Sequence, residues 1–171
     1  RRLHMVRSLW TALTAEVSMR PSVTWLKELT INVGKSKNVS KSMLATSNGG
    51  VIGFVTKVYD DTTTISLLSS SSSDSYLASS VKSEDDNQIF GIISRYDNKK
   101  KLLEMTQLNS SSNVKVGTEV VTSGLDDVSV KDVPIGTVDS VSDYEGNRTI
   151  LVNPYADFDK ISYVTLVGDG K

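Results

Sequence analysis

Few side chains in this sequence could do covalent chemistry, and they are poorly arranged for it. His4 is the only histidine in 171 residues. A serine hydrolase needs an imidazole within reach of the nucleophile and a carboxylate to orient it. His4 lies at the extreme N-terminus, in a segment that reads as helix, and no Gly-x-Ser-Gly surrounds any serine. Ser79-Ser80-Val81-Lys82 fits Ser-x-x-Lys, and Ser111-Ser112-Asn113 loosely fits Ser-x-Asn. These are two of the three elements of penicillin-recognising enzymes. The third, Lys-Thr-Gly, is missing, as are the long core helices that fold requires. Carboxylates stand in adjacent pairs at Asp60-Asp61, Asp85-Asp86 and Asp126-Asp127. Neighbours on a strand point to opposite faces, so such pairs do not share a water or a metal and read as solvated loops.

The remaining ligand chemistries find no better support. With no cysteine, the chain can form neither disulfides nor thiolate zinc sites. Phosphate-loop, dinucleotide and calcium-loop spacings are absent, so no cofactor and no metal is expected. The net charge is -1, whereas nucleic-acid binders carry a basic stripe. The one basic run, Lys99-Lys100-Lys101, reads as a hairpin tip. No apolar run reaches the roughly 18 residues of a membrane span, and no signal peptide is visible. The sequence opens at Arg1-Arg2 in the middle of a helical pattern. That opening leads us to expect a membrane-proximal part upstream of this domain.

The elements follow from periodicity. Leu3, Val6, Trp10 and Leu13 have the 3,4,3 spacing of a coiled-coil seam, so residues 1–14 are expected to form a helix that ends a coiled coil. These four are the candidates for self-association. The same stripe also fits a helix packed on its own domain, and Pro21 bars continuation far beyond Met19. After Pro21 the period becomes two: Leu29, Ile31 and Val33 alternate with Thr30, Asn32 and Gly34. Strands are expected at 43–47, 52–58, 62–68, 76–82, 89–96, 101–108, 119–122, 135–141, 148–152 and 161–167. Asn48-Gly49 is a hairpin-turn dipeptide, and Asp97-Asn98 with the lysines plays the same part. The serine run Ser69 to Ser73 reads as an interdomain linker or a surface loop.

An internal repeat organises these strands. Met43-Leu44-Ala45-Thr46-Ser47, Gly49, then Ile52-Gly53-Phe54-Val55-Thr56-Lys57-Val58 has a counterpart downstream. The counterpart is Glu119-Val120-Val121-Thr122-Ser123, Gly124, then Ile135-Gly136-Thr137-Val138-Asp139-Ser140-Val141. A strand, a tight turn and a strand coiling at glycine form a barrel corner used twice, and Gly53 and Gly136 are expected to be structural. The expected fold class is all-β: two small six-stranded antiparallel barrels with a short N-terminal helix. Residues 15–70 plus 160–168 would form the first barrel and residues 75–155 the second. The last strand is assigned to the first barrel because five strands there would leave an edge unpaired.

A resemblance is carried by these residues in order. Val17-Ser18-Met19-Arg20-Pro21, Trp25-Leu26 and Leu29 to Gly34 resemble the opening of the MreC core domain, the extracytoplasmic part of a rod-shape-determining protein family. Gly49-Gly50-Val51-Ile52-Gly53-Phe54-Val55 is similar to that family's Gly-Gly-Leu-Ile-Gly-x-Val. Val116 to Gly124, ending Thr122-Ser123-Gly124, is similar to its Gly-Asp-x-Val-x-Thr-Ser-Gly, with Thr118 where aspartate is usual. Pro134-Ile135-Gly136-Thr137-Val138 and Asn153-Pro154-Tyr155-Ala156-Asp157-Phe158 resemble two later segments, although Val128 to Asp132 lacks the usual Phe-Pro-x-Gly. The resemblance runs from about residue 17 to 167. It implies a non-catalytic cell-shape scaffold without cofactors, anchored by a single membrane helix that would precede this sequence. It also implies self-assembly, a class B penicillin-binding protein and MreD as partners, and no nucleic acid. The rival readings are a small β-barrel serine hydrolase and a surface adhesion module.

Overall fold

The computed structural model describes residues 11–19, 28–69, 76–125 and 130–168. Among them the only helical element is a 3-10 turn at Lys35–Lys37, and the rest is strand and loop. Twelve strands run in chain order: β1 (Thr11–Met19), β2 (Glu28–Ile31), β3 (Leu44–Ser47), β4 (Gly50–Val58), β5 (Thr63–Leu67) and β6 (Leu77–Lys82), then β7 (Gln88–Asp97), β8 (Leu102–Thr106), β9 (Glu119–Thr122), β10 (Pro134–Tyr144), β11 (Asn147–Pro154) and β12 (Tyr163–Gly168). Eleven of these lie at the expected places. Between β3 and β4, Asn48 and Gly49 both have positive φ, 56° and 82°, as a two-residue hairpin turn requires.

The strands close into two antiparallel barrels of six, in the order β1-β12-β3-β4-β5-β2 and β10-β11-β8-β7-β6-β9. Closure removes the unpaired edges that short strands would otherwise expose. The thinnest joint is β1–β2, with only Val17↔Ile31 and Met19↔Thr30 in register. The last strand, β12, lies in the first barrel between β1 and β3, where the sequence reading puts it, and the sixth strand that closes the ring is β1.

The helix expected over residues 1–14 is not present over its described part, residues 11–14. Residues 1–10 lie outside the described residues, but Thr11–Met19 is strand β1, paired with β12 from Thr11↔Gly168 to Glu16↔Tyr163. Leu13 is therefore on a strand and not on a helical seam. The reason is legible in hindsight. Leu13, Ala15, Val17 and Met19 alternate with Thr14, Glu16 and Ser18, a period-two pattern. The 3,4,3 reading of the residues before it ran on into that alternation. Most of the serine run, Ser70 to Ser73, also lies outside the described residues.

Rotating the two strand orders shows how deep the repeat goes. The first barrel reads β12-β3-β4-β5-β2-β1 and the second β6-β9-β10-β11-β8-β7. The register breaks fall at matching places. Ile52 and Ile135 are the extra residues of one pair of bulges, Thr56 and Asp139 of a second, and Ser18 and Ser94 of a third. The two barrels are thus one six-strand unit used twice. In the first copy its leading strand comes from the end of the chain, and the second barrel is inserted between β5 and β12.

Candidate functional site

The glycines and isoleucines of the two sequence copies converge on the joint between the barrels. Gly50 opens β4 against the second barrel. A Cβ there would stand 2.8 Å from the Cβ of Tyr155 and 2.9 Å from the carbonyl oxygen of Ile135. Ile52 and Ile135, the two bulge residues, are fully buried. Residues 50–53 are all buried, and so are 134–136, so both strands are buried on both faces here. One face meets its own barrel core and the other meets the opposite barrel, which is why the alternation of a half-solvated strand is lost at these positions.

Gly53 and Gly136 do the same work one step further in. A Cβ on Gly53 would lie 1.9 Å from the Ser66 carbonyl oxygen, and one on Gly136 would lie 2.2 Å from that of Asn153. Any side chain would push the paired strand away. The threonines of the Thr-Ser pairs also correspond. Thr46 Oγ1 donates to the Thr165 carbonyl at 3.0 Å, tying β3 to β12. Thr122 Oγ1 donates to the Val130 carbonyl and accepts from the Val133 amide at 2.9 Å, holding the incoming end of the β9–β10 connection. Ser123 donates its amide to the Ala78 carbonyl at 3.0 Å. Gly124 has a φ of 73°, which glycine adopts without steric cost. Pro134 begins β10, and the strand bulges between it and Gly136.

The chain returning from β11 to β12 locks the joint from the other side. Tyr155 donates its amide to the Ile135 carbonyl at 3.1 Å and its hydroxyl to Glu119 Oε2 at 2.6 Å. Phe158, buried, packs on Tyr96 with ring centroids 4.9 Å apart and planes tilted by 57°, an edge-biased aromatic contact. Asp159 pairs with Lys101 Nζ at 3.0 Å. Burial, with Asp159, Asp157 and Asp97 nearby, pushes the Tyr96 phenol up to about 12. The Tyr96 and Lys101 contacts went unread in the sequence, because their partners lie some sixty residues away and nothing local marks them.

The residues considered for covalent chemistry do not form a centre. Ser79 is fully buried, and its hydroxyl donates to the Gly91 carbonyl at 3.3 Å within the β6–β7 pair. Asp61 accepts from Ser36 Oγ at 3.2 Å. Asp85 accepts from Ser83 in the β6–β7 turn, and that bond holds its carboxyl below the usual range. The lysine run forms the β7–β8 turn, where the amides of Lys99 and Lys100 donate to Asp97 Oδ1 at 2.9 and 3.0 Å. These amides, the Lys100 contact first, lower the Asp97 pKa. Among the described residues no three acidic or histidine side chains gather as metal ligands. His4, Asp126 and Asp127 lie outside the described residues, as do Leu3, Val6 and Trp10. The joint is therefore a mechanical site: it fixes one barrel on the other.

The family model for the barrel core of the rod shape-determining protein MreC matches residues 17–168. The chain belongs to the MreC family. The cell shape-determining protein MreC of Streptococcus pneumoniae is 37% identical over 160 residues, 92% of this chain and 58% of that protein. The chain thus spans little more than half the length of this relative. A solved structure of the major periplasmic domain of the cell shape-determining filament MreC is 35% identical. It has a TM-score of 0.83 and covers 94% of this chain and 96% of its own. MreC in a complex with the penicillin-binding protein PBP2 from Helicobacter pylori is 16% identical, with a TM-score of 0.68 over 95% of this chain and 99% of its own, a likeness of fold alone. The resemblance stated from motifs is thus a family membership, and of the MreC-like segments Gly50 to Gly53, Pro134 to Gly136 and Tyr155 meet at the inter-barrel joint, with Glu119 bonded to Tyr155.

Proposed function

We propose that this chain is the extracytoplasmic part of a non-catalytic scaffold. It would hold a class B penicillin-binding protein in place, self-associate and work beside MreD. A single membrane helix and a coiled coil ahead of residue 1 would anchor it. The observation that carries the reading is the Helicobacter pylori complex, in which an MreC of this fold is bound to PBP2. The domain's form supports a positional role: two closed barrels meet at the buried Gly50, Ile52 and Ile135, and a packed joint transmits position rather than chemistry. The buried, hydrogen-bonded Ser79 argues against the serine hydrolase reading. Self-association is proposed through Leu3, Val6 and Trp10, with the seam ending before β1.

The test is capture of the periplasmic part of the same organism's class B synthase by the immobilised 171-residue chain. Binding is expected. Failure to bind over micromolar concentrations, with the barrels folded, would sink the synthase-scaffold reading. In parallel, sedimentation should show this chain monomeric or weakly dimeric and a chain extended upstream dimeric. Trp10→Glu should weaken the extended dimer.

A further inference from the structure

On the second barrel, away from the joint, the loop leaving β8 and the β10–β11 turn enclose an open cleft of about 590 Å³. That is within the roughly 300–1,000 Å³ of small-ligand sites. Its walls include Gln107, Asn109, Ser110, Asn147, Arg148 and Thr149. Amides and hydroxyls dominate, a single cation is present, and no carboxylate is among the lining residues.

The polar groups are held in place. The Asn109 side-chain oxygen accepts from the Phe90 amide at 3.0 Å, and the Asn109 amide donates to the Phe90 carbonyl at 3.0 Å. That fixes the side chain and leaves its NH2 as a donor. Arg148 Nη1 donates to the Ser111 carbonyl at 2.7 Å, which ties the two walls together. A guanidinium has five N–H groups; Asp143 stands opposite Arg148 in the β10–β11 ladder, but no ion pair within 4 Å joins Arg148 to a carboxylate among the described residues. Gln107 has a φ of 54°, a left-handed conformation uncommon for a residue that is neither glycine nor asparagine. Gln107 and Asn109 also border a shallower groove of about 320 Å³ that includes Phe90, Ile92 and Leu125.

The matching ligand follows from this inventory. It offers many hydroxyls and amides, one negative charge, and small apolar groups at one end. A nucleic acid would ask for several cations, and a neutral sugar would leave Arg148 unused. We propose that this cleft binds an acidic, N-acetylated glycan carrying a short peptide, the chemistry of the cell wall itself. The proposal rests on the reading of the chain as an extracytoplasmic cell-wall scaffold. It would let the scaffold touch the polymer whose synthase it holds.

The experiment uses the 171-residue chain and the disaccharide-tetrapeptide released from purified cell walls by a muramidase, followed by amide shifts in 107–111 and 145–149. Saturable shifts in those two segments are expected. Arg148→Gln should weaken binding at least about tenfold, as loss of a charge-assisted hydrogen bond does. An uncharged N-acetylglucosamine tetramer should bind the wild type weakly and Arg148→Gln equally weakly. Asn147→Ala, which removes no side-chain bond recorded among the described residues, should weaken binding several-fold with the fold intact, so the test survives if Arg148→Gln does not fold. The proposal fails if the wild type shows no shifts, if Asn147→Ala and a folded Arg148→Gln both bind normally, or if the free tetrapeptide binds as tightly as the whole fragment. Synthase capture that persists without glycan binding removes this site alone. Glycan binding without synthase capture removes the scaffold reading and leaves the site.

Discussion

A single methyl group at position 53 or 136 decides whether two strands can meet. The nearest atoms are backbone carbonyls at 1.9 and 2.2 Å, which cannot rotate away as a side chain would. Gly53→Ala and Gly136→Ala should each cost about 1–3 kcal/mol or more, read as a fall in the denaturation midpoint at unchanged slope. Gly49→Ala places its methyl in open space, so its cost is limited to holding alanine at a φ of 82°. If Gly53→Ala proved no worse than Gly49→Ala, close approach would not be the reason for the glycine. The sequence marks Gly53 and Gly136 because the repeat aligns them. Tyr96 carries no such mark, since its environment is built by the remote Asp157 and Asp159. Its pKa of about 12 in the folded chain stands above the ordinary value near 10. The unfolded phenol therefore ionises first. The stability Tyr96 contributes is complete below pH 10 and is lost as pH rises from there through about 12. Ultraviolet titration of the folded protein should show a tyrosine step near pH 12 that Tyr96→Phe abolishes. A step that survives the substitution would put the assignment elsewhere.

At the scale of elements, the returning segment Tyr155–Ile161 joins barrels by two kinds of contact that differ in worth. Phe158 is 3% exposed and packed on Tyr96, and truncating a buried phenylalanine costs about 3–5 kcal/mol. The Lys101–Asp159 pair is half-exposed, with side chains 52% and 41% accessible, and exposed pairs contribute about 0–1 kcal/mol. Phe158→Ala should therefore destabilise several-fold more than Lys101→Ala in chemical denaturation, and salt should lessen only the lysine effect. Comparable losses would mean that the segment is held by charge. The strands themselves were readable because each local pattern agreed with its final environment: alternation, then a turn, then alternation. β1 escaped because two periods overlapped at its start. Leu13 satisfies both the heptad counted from Leu3 and the alternation running to Met19, and the sequence alone does not choose between them. The matching bulges at Ser18 and Ser94 show what the choice depends on: β1 is the first barrel's version of β7.

For the whole molecule, the consequence of one unit used twice with a displaced strand is unequal independence. The second barrel takes all six strands from an unbroken stretch, Leu77 to Pro154. The first waits for β12, which arrives only after the second has been traversed. The strand count pointed to this arrangement but fell one short, since the sequence shows only four strand-like runs before Ser69 and its reading gives β1 to a helix. The joint was not legible, since nothing local says that Gly50 faces Ile135. Removing residues 161–171 tests the asymmetry. It takes away the buried Ile161, Val164, Leu166 and Val167 and leaves β1 and β3 each short of one of their two neighbours. Bared edges and the loss of four buried apolar side chains should open the first barrel. Amide exchange in β3, β4 and β5 should then lose its protection, while β6 to β11 keep most of theirs, because every ladder of the second barrel is internal. Only the faces of β10 and Tyr155 that met β4 should exchange faster. Simultaneous loss across both barrels would mean that the joint makes them one cooperative unit, and equal retention would mean that β12 is dispensable for closure.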